Sequence, residues 1–296
     1  MKNLTLVLLA AAFMLGCHTR DQKKSADEPG KITWSLEELW KSDTLMRTSE
    51  SVLFDADRGH LFVSCINGAP WEADGMGFIA LLNTDGSIKT EKWVTGLDAP
   101  KGMGARDGLL YVADITRIVV IDIEKAEIAD RVEVPGAVHL NDVDVGPDGR
   151  VWFTDSGAGQ VWTLNEGGVP EPWLEGAFEG PNGIFVEEDR VLLALAQEQE
   201  LVVIRKEDKS FKTVTDGIGV GDGVEYTGVE GYYLVTSWQG EIFLVLPDFS
   251  SVSLLKTSEQ GINTADIGYN LADRVVYVPT FFDNRVVAYR LVKSSG

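Results

Sequence analysis

The sequence predicts an all-β fold, a six-bladed β-propeller with four-stranded blades, and three observations predict it. A motif built of a polar residue, a short alternating run, a turn and a second apolar run occurs six times in the 296 residues. The copies are spaced by 51, 40, 41, 40 and 44 residues. No stretch carries a convincing amphipathic helical period longer than two turns. Four short strands in each repeat of roughly forty residues is the pattern of a propeller blade.

The motif is plainest at residues 138–156, VHLNDVDVGPDGRVWFTDS. Val143 and Val145 alternate with Asp142 and Asp144, Gly-Pro-Asp-Gly turns the chain, and Val151-Trp152-Phe153 returns, which reads as a hairpin. In chain order the copies open at Glu50, Lys101, Asn141, Asn182, Asp222 and Asp266. A second hairpin follows each of the first five. Its turns fall at NTDG after Gly77-FIALL, IEKAE after Arg117-IVVID and NEGG after Gln160-VWTL. They continue at KEDK after Glu200-LVVIR and PDFS after Glu241-IFLVL. The sixth copy has only three strands, the last being Arg285-VVAYRLV. Ile32-TWSLEELW, at the other end of the chain, supplies a fourth. The N-terminal strand is therefore expected to complete the last blade and close the ring, because an open ring would expose a sheet edge.

The expected organisation is a signal peptide over residues 1–16, a tether over 17–30 and the propeller over 31–296. Residues 1–17 read MKNLTLVLLAAAFMLGC. Lys2 gives a short positive region, and the apolar run of residues 4–15 is too short to span a bilayer in the usual way. The ending Met14-Leu15-Gly16-Cys17 resembles a bacterial lipobox, in which the cysteine is acylated and becomes the mature N-terminus. An ordinary secretory signal cut nearby would export the chain equally. The expectation is an exported bacterial lipoprotein of the periplasm or cell envelope, held to a membrane only through lipid on Cys17. His18 stands where an inner-membrane retention signal would place Asp, which favours the outer membrane. The other cysteine, Cys65, lies in the strand-like HLFVSC and reads as a buried, inert thiol. A net charge of −20 argues against nucleic acid as a partner, since phosphate binding needs clustered Lys and Arg. The expected partner is a small molecule, and the expected state is a monomer.

In a propeller the first strand of each blade lines the central channel, so the six opening residues should meet at one rim. Five of the six carry side-chain oxygens. Burying such groups without partners costs roughly 1–3 kcal/mol each. A hard divalent cation would satisfy them, and Ca²⁺ takes carboxylate and amide oxygens. Water filling the channel would satisfy them too, and spacing alone does not separate the two. Zinc is disfavoured, because His18, His60 and His139 show no ligand spacing and thiolate pairs are absent. No Ser-His-Asp arrangement is apparent around His60 or His139.

The stretches Glu50-SVLFD, LNDVDVGPDGRVWFTD with Asn141, GPNGIFV with Asn182 and GDGVEY with Asp222 carry a family resemblance. From about residue 31 to its end, the chain resembles the SMP-30/gluconolactonase/LRE family of six-bladed propellers. The resemblance implies that Glu50, Asn141, Asn182 and Asp222 bind one divalent metal ion, calcium above others. It implies a metal-dependent hydrolase of a lactone or related ester, with Asp222 as the catalytic carboxylate. Lys101 and Asp266 have no ligand role in the family pattern, and with His139 they are candidate substrate-binding residues. His139 lies two residues before Asn141, on the same strand face by period two, where sugar-lactonase relatives often carry Arg, a departure that counts against a gluconolactone-type substrate. The competing class is a non-catalytic ligand- or glycan-binding propeller anchored at the cell envelope. Trp71, in INGAPWEADGMG, is a candidate rim or lid residue, and Phe281-Phe282 is expected to pack in the core or between blades.

Overall fold

The structure is a computed structural model that describes residues 32–295. The expected signal peptide, the expected tether and Cys17, the expected acylation site, lie outside the described residues. The main body, Trp34–Lys293, holds six antiparallel sheets of four strands each, arranged as a six-bladed β-propeller. Five blades run consecutively, over residues 49–97, 100–133, 140–175, 181–216 and 221–256. The sixth takes Gly268–Asn270, Val275–Pro279 and Val286–Ser295 from the C-terminal end, and its outer strand is Ile32–Lys41. The closure expected from the sequence is thus present. Among the described residues the only helical turn is Ser258–Gln260.

Burial follows strand position. The second strands are buried along both faces, as in Val151–Asp155 and Tyr233–Ser237, because a neighbouring blade covers each side. The outer strands, such as Glu127–Glu133, are mostly exposed and richly charged. The core is divided into layers between adjacent blades. One layer joins Phe62, Ile79 and Leu97 of the first blade to Met103, Leu110 and Val112 of the second. Another joins the first blade to the last through Leu61, Val63, Tyr277 and Val286. Each such side chain, fully buried, contributes roughly 1.5–3 kcal/mol. Cys65 belongs to that second layer, and burial pushes its thiol well above the usual range, as expected of an inert group.

The innermost strands share a further feature. In five of them the pairing register slips at their start. The slips fall at Ser49/Ser51, Pro100/Met103, Leu140/Val143, Pro181/Ile184 and Gly221/Val224. A bulge of this kind bends the strand and re-aims a side chain. The residues inside the slips are Glu50, Lys101, Asn141, Asn182 and Asp222, each with its successor in four of the five.

Candidate functional site at the channel mouth

A bulge leaves backbone groups without ladder partners, and hydroxyls on the second strands supply them. Ser51 N–H donates to Ser64 Oγ at 2.9 Å, Asp142 N–H to Thr154 Oγ1 at 3.0 Å, and Gly223 N–H to Thr236 Oγ1 at 2.8 Å. Thr154 in turn donates to the Asn182 carbonyl at 2.8 Å, and Thr236 to the Ala265 carbonyl at 2.9 Å. The same hydroxyl therefore closes one bulge and fixes the start of the next blade. These partners are polar residues inside otherwise apolar strands, and that was the available signal for them in the sequence.

Glu50, Lys101, Asn141, Asn182 and Asp222 are all buried. The Asn141 amide donates from Nδ2 to Ser156 Oγ at 3.0 Å, and Ser156 donates onward to the Pro181 carbonyl at 2.7 Å. That chain fixes which end of the Asn141 amide is the nitrogen and leaves Oδ1 as the acceptor end. Lys101 Nζ lies 3.7 Å from Glu50 Oε1. The other oxygen, Glu50 Oε2, is buried without a hydrogen-bond partner, and so is Asp222 Oδ1. Burial pushes the Glu50 carboxyl up, against the pull of the Lys101 ammonium. Asp222 is pushed well up, chiefly by burial and then by the negative charges of Glu50 and Asp266.

Two buried carboxylates, each raised by burial and each with an unused oxygen, fit a hard cation. Their two charges would neutralise a divalent ion, and amide oxygens are ordinary ligands for calcium. Among the described residues no three His, Cys, Asp or Glu side chains group as a metal site. Any further protein oxygens must therefore come from groups such as Asn141 and Asn182.

Three sequence expectations shift. Asp266 is not level with the other opening residues. It pairs with Ser51 in a parallel bridge, and its Oδ2 accepts from Ser51 Oγ at 2.5 Å. A β-carbon on Gly223 would lie 2.6 Å from Asp266 Oδ1, just as one on Gly102 would lie 2.1 Å from Asp142 Oδ1. Asp266 therefore belongs one residue deeper, beside Ser51, Gly102, Asp142 and Gly223, and Ala265 takes the sixth rim position. Burial, reinforced by the charges of Glu50 and Asp144, pushes the Asp266 carboxyl up to about 8 against the Ser51 hydrogen bond. His139 lies just before the strand Leu140–Val145 rather than on its face. Its N–H donates to Asp155 Oδ1 at 2.9 Å, and its ring stacks on Trp71 with centroids 4.2 Å apart. Of the aromatic pair, Phe281 is buried as expected, but Phe282 is exposed.

The sequence reading missed three acids below the rim, Asp142, Asp144 and Glu225, and set Asp266 one tier too high. Asp142, Asp144, Glu225 and Asp266 line an axial cavity of about 60 Å³, together with first-strand residues of the first five blades and Ile267 of the sixth. Asp142 Oδ2 accepts from Ile184 N–H at 2.8 Å, and Asp144 Oδ2 accepts from Val186 N–H at 2.7 Å, so these two side chains tie the third blade to the fourth. Their alternation with Val143 and Val145 had been read only as one strand of a hairpin.

Comparison with known proteins agrees on architecture. No family model matches the chain, and no curated protein matches it. A gluconolactonase from Xanthomonas campestris is 16% identical, with a TM-score of 0.67 over 90% of this chain and 96% of that one. A streptogramin B lyase is 13% identical, with a TM-score of 0.63 over 88% and 98%. A catalytically inactive virginiamycin B lyase from Staphylococcus aureus, solved with quinupristin, is 14% identical, with a TM-score of 0.57 over 88% and 100%. At these identities the likeness is one of fold, and the class defined here is a six-bladed propeller with a buried, acid-rich channel mouth.

Proposed function

We propose that the protein is a metal-dependent hydrolase of a lactone or related ester. One divalent ion, calcium by preference, would be held by Glu50, Asn141, Asn182 and Asp222. The observation that carries this reading is the pair of buried, partnerless acceptors, Glu50 Oε2 and Asp222 Oδ1. When bound, such an ion supplies Lewis-acid polarisation of the ester carbonyl. The gluconolactonase neighbour supports the substrate class by fold likeness alone.

In this reading Asp222 takes a proton from water as the water oxygen adds to the carbonyl carbon. The C–O bond of the ester then breaks, the carboxylic acid forms and the leaving oxygen is protonated. A carboxylate beside a cation is a weak base, so Asp222 acts mainly by holding water at the reacting carbon. Lys101 faces the same space and offers a positive charge to the substrate oxygen. His139 borders the entrance. Asp266 is left out of the substrate set because it lies a tier below and is engaged by Ser51. The same reading takes the chain as exported and lipid-anchored through Cys17.

The test is a panel of lactones and aryl esters turned over with calcium, with chelator, and by Asp222→Ala. Chelator-sensitive turnover lost in the variant is the expected result. Full turnover in verified metal-free protein would overturn it. Calcium binding with no turnover across the panel would make the protein a binding propeller instead.

A further inference from the structure

The loop of residues 66–76 joins the second and third strands of the first blade. Its counterparts in the other blades have between two and six residues, against 11 here. From this loop Trp71 reaches two other blades. Its ring stacks on His139 of the third blade at an interplanar angle of 26°. The Lys101 ammonium of the second blade lies 4.1 Å from the ring centroid, a cation–π geometry. Lys101 Nζ is also the group beside Glu50. One ammonium thus touches both the aromatic ring and a proposed metal ligand, so ring and ligand border one space.

The rim around that space exposes large apolar side chains among polar ones such as Glu72 and Asp74 of the same loop. Trp71 is 37% exposed, and Met76 in the same loop and Val138 beside His139 are exposed as well. In the matching loop of the sixth blade Phe282, 61% exposed, packs edge-on against Phe281 and Trp238. Small-molecule sites combine mostly apolar walls with a few placed polar groups, and exposed apolar patches mark binding surfaces. A polyhydroxylated ring would need donors and acceptors from these walls. Trp71, Met76, Val138 and Phe282 offer rings, a thioether and aliphatic carbon, and the Lys101 ammonium stands at the inner end.

We propose that this wall is a substrate subsite for an uncharged lactone or ester carrying an alkyl chain or aryl ring, with Trp71 as its specificity-determining residue. The proposal rests on the hydrolase reading above. The carbonyl lies toward Lys101 and Asp222, and the apolar substituent lies against Trp71. The loop is long in this blade because Trp71 has to cross from the first blade to the third.

The test compares kcat/KM of the calcium-loaded full chain on a γ-lactone with a hexyl side chain, on γ-butyrolactone and on glucono-δ-lactone. The expected ranking puts the hexyl lactone ahead of both others by about tenfold or more. Trp71→Ala should collapse the hexyl-to-butyro ratio toward one, and Trp71→Phe should keep most of it. Should Trp71→Ala fail to fold, Phe282→Ser in the sixth-blade loop is read for the same ratio. Preference for glucono-δ-lactone, or an equal loss on all three substrates in the variants, would overturn the subsite. If no lactone turns over, the hydrolase reading fails and the subsite is judged by calorimetry with the hexyl-substituted lactam. Binding by the parent chain that Trp71→Ala loses retains the subsite; absence of binding removes it as well.

Discussion

Burial raises the carboxyls of both Glu50 and Asp222, the charges of Glu50 and Asp266 raise Asp222 further, and Lys101 opposes both shifts. Taking a charge away should therefore relieve the metal-free protein and cripple the loaded one. Asp222→Asn is expected to melt at or above the parent in chelator, yet to gain little from calcium. A ligand at a hundred times its dissociation constant stabilises by roughly 2.7 kcal/mol, and that increment is what the variant should lose in paired melts. A variant stabilised by calcium as fully as the parent would remove Asp222 from the ligand set. Asp144 permits a separate test by pH. Burial pushes its carboxyl up to about 6 from an ordinary 3.8, against hydrogen bonds from Val186 and Val145 N–H. The folded chain then holds this proton more tightly than the unfolded chain does. The resulting stability is complete below about pH 4 and is lost as pH rises through about 6. The loss is on the order of 2 kcal/mol once partial exposure is discounted. Urea midpoints of the parent and Asp144→Asn at pH 4.5 and 7.5 measure it, and the parent should show the steeper fall. Equal slopes would show that the proton on Asp144 is not linked to folding.

At the level of the strand, the site is a consequence of bulges that recur at the same place. Five inner strands slip register where the opening residue stands, so a spacing rule found Glu50, Lys101, Asn141, Asn182 and Asp222 without any knowledge of side-chain contacts. The rule failed in the sixth strand. Gly268, Tyr269 and Asn270 pair in unbroken register with Tyr277, Val276 and Val275, and an acidic residue one step further in looked like the sixth member. The chain spacing of 44 carried that error, and the pairing of Asp266 with Ser51 and its approach to Gly223 expose it. The acids below the rim were unreadable for another reason: whether Asp142 meets water or an amide of the next blade depends on a residue forty positions away. The glycines that follow Lys101, Asn182 and Asp222 were the overlooked clue, because they mark where neighbouring inner strands touch. A β-carbon on Gly183 would stand 1.7 Å from the Asp222 carbonyl oxygen. Gly183→Ala must push the fourth and fifth blades apart, at a cost of about 3 kcal/mol or more. Chemical denaturation should show that loss together with weaker calcium stabilisation, since the shift lies between two proposed ligands. A neutral Gly183→Ala would mean the inner strands slide past each other freely.

On the scale of the whole molecule, the ring depends on one strand borrowed from the far end of the chain. Ile32–Lys41 pairs with Val286–Ser295 and covers what would otherwise be an open edge. Its Trp34 packs beside Tyr232 of the fifth blade, and its Trp40 beside Tyr277 of the sixth, so the strand also seals apolar layers on both sides of the junction. This closure was legible in the sequence because a blade with three strands and a spare strand at the other terminus admit one simple solution. A chain beginning at residue 32 should therefore melt like the parent. One beginning at residue 42 should lose cooperative unfolding and self-associate, read by calorimetry and size-exclusion chromatography. Adding the peptide of residues 32–41 in trans should restore the monomeric, cooperative form, because the edge it fills is specific in register and in the pockets for its two tryptophans. A shortened chain that stays monomeric and melts unchanged without the peptide would mean that the adjacent blades hold the ring without its closing strand.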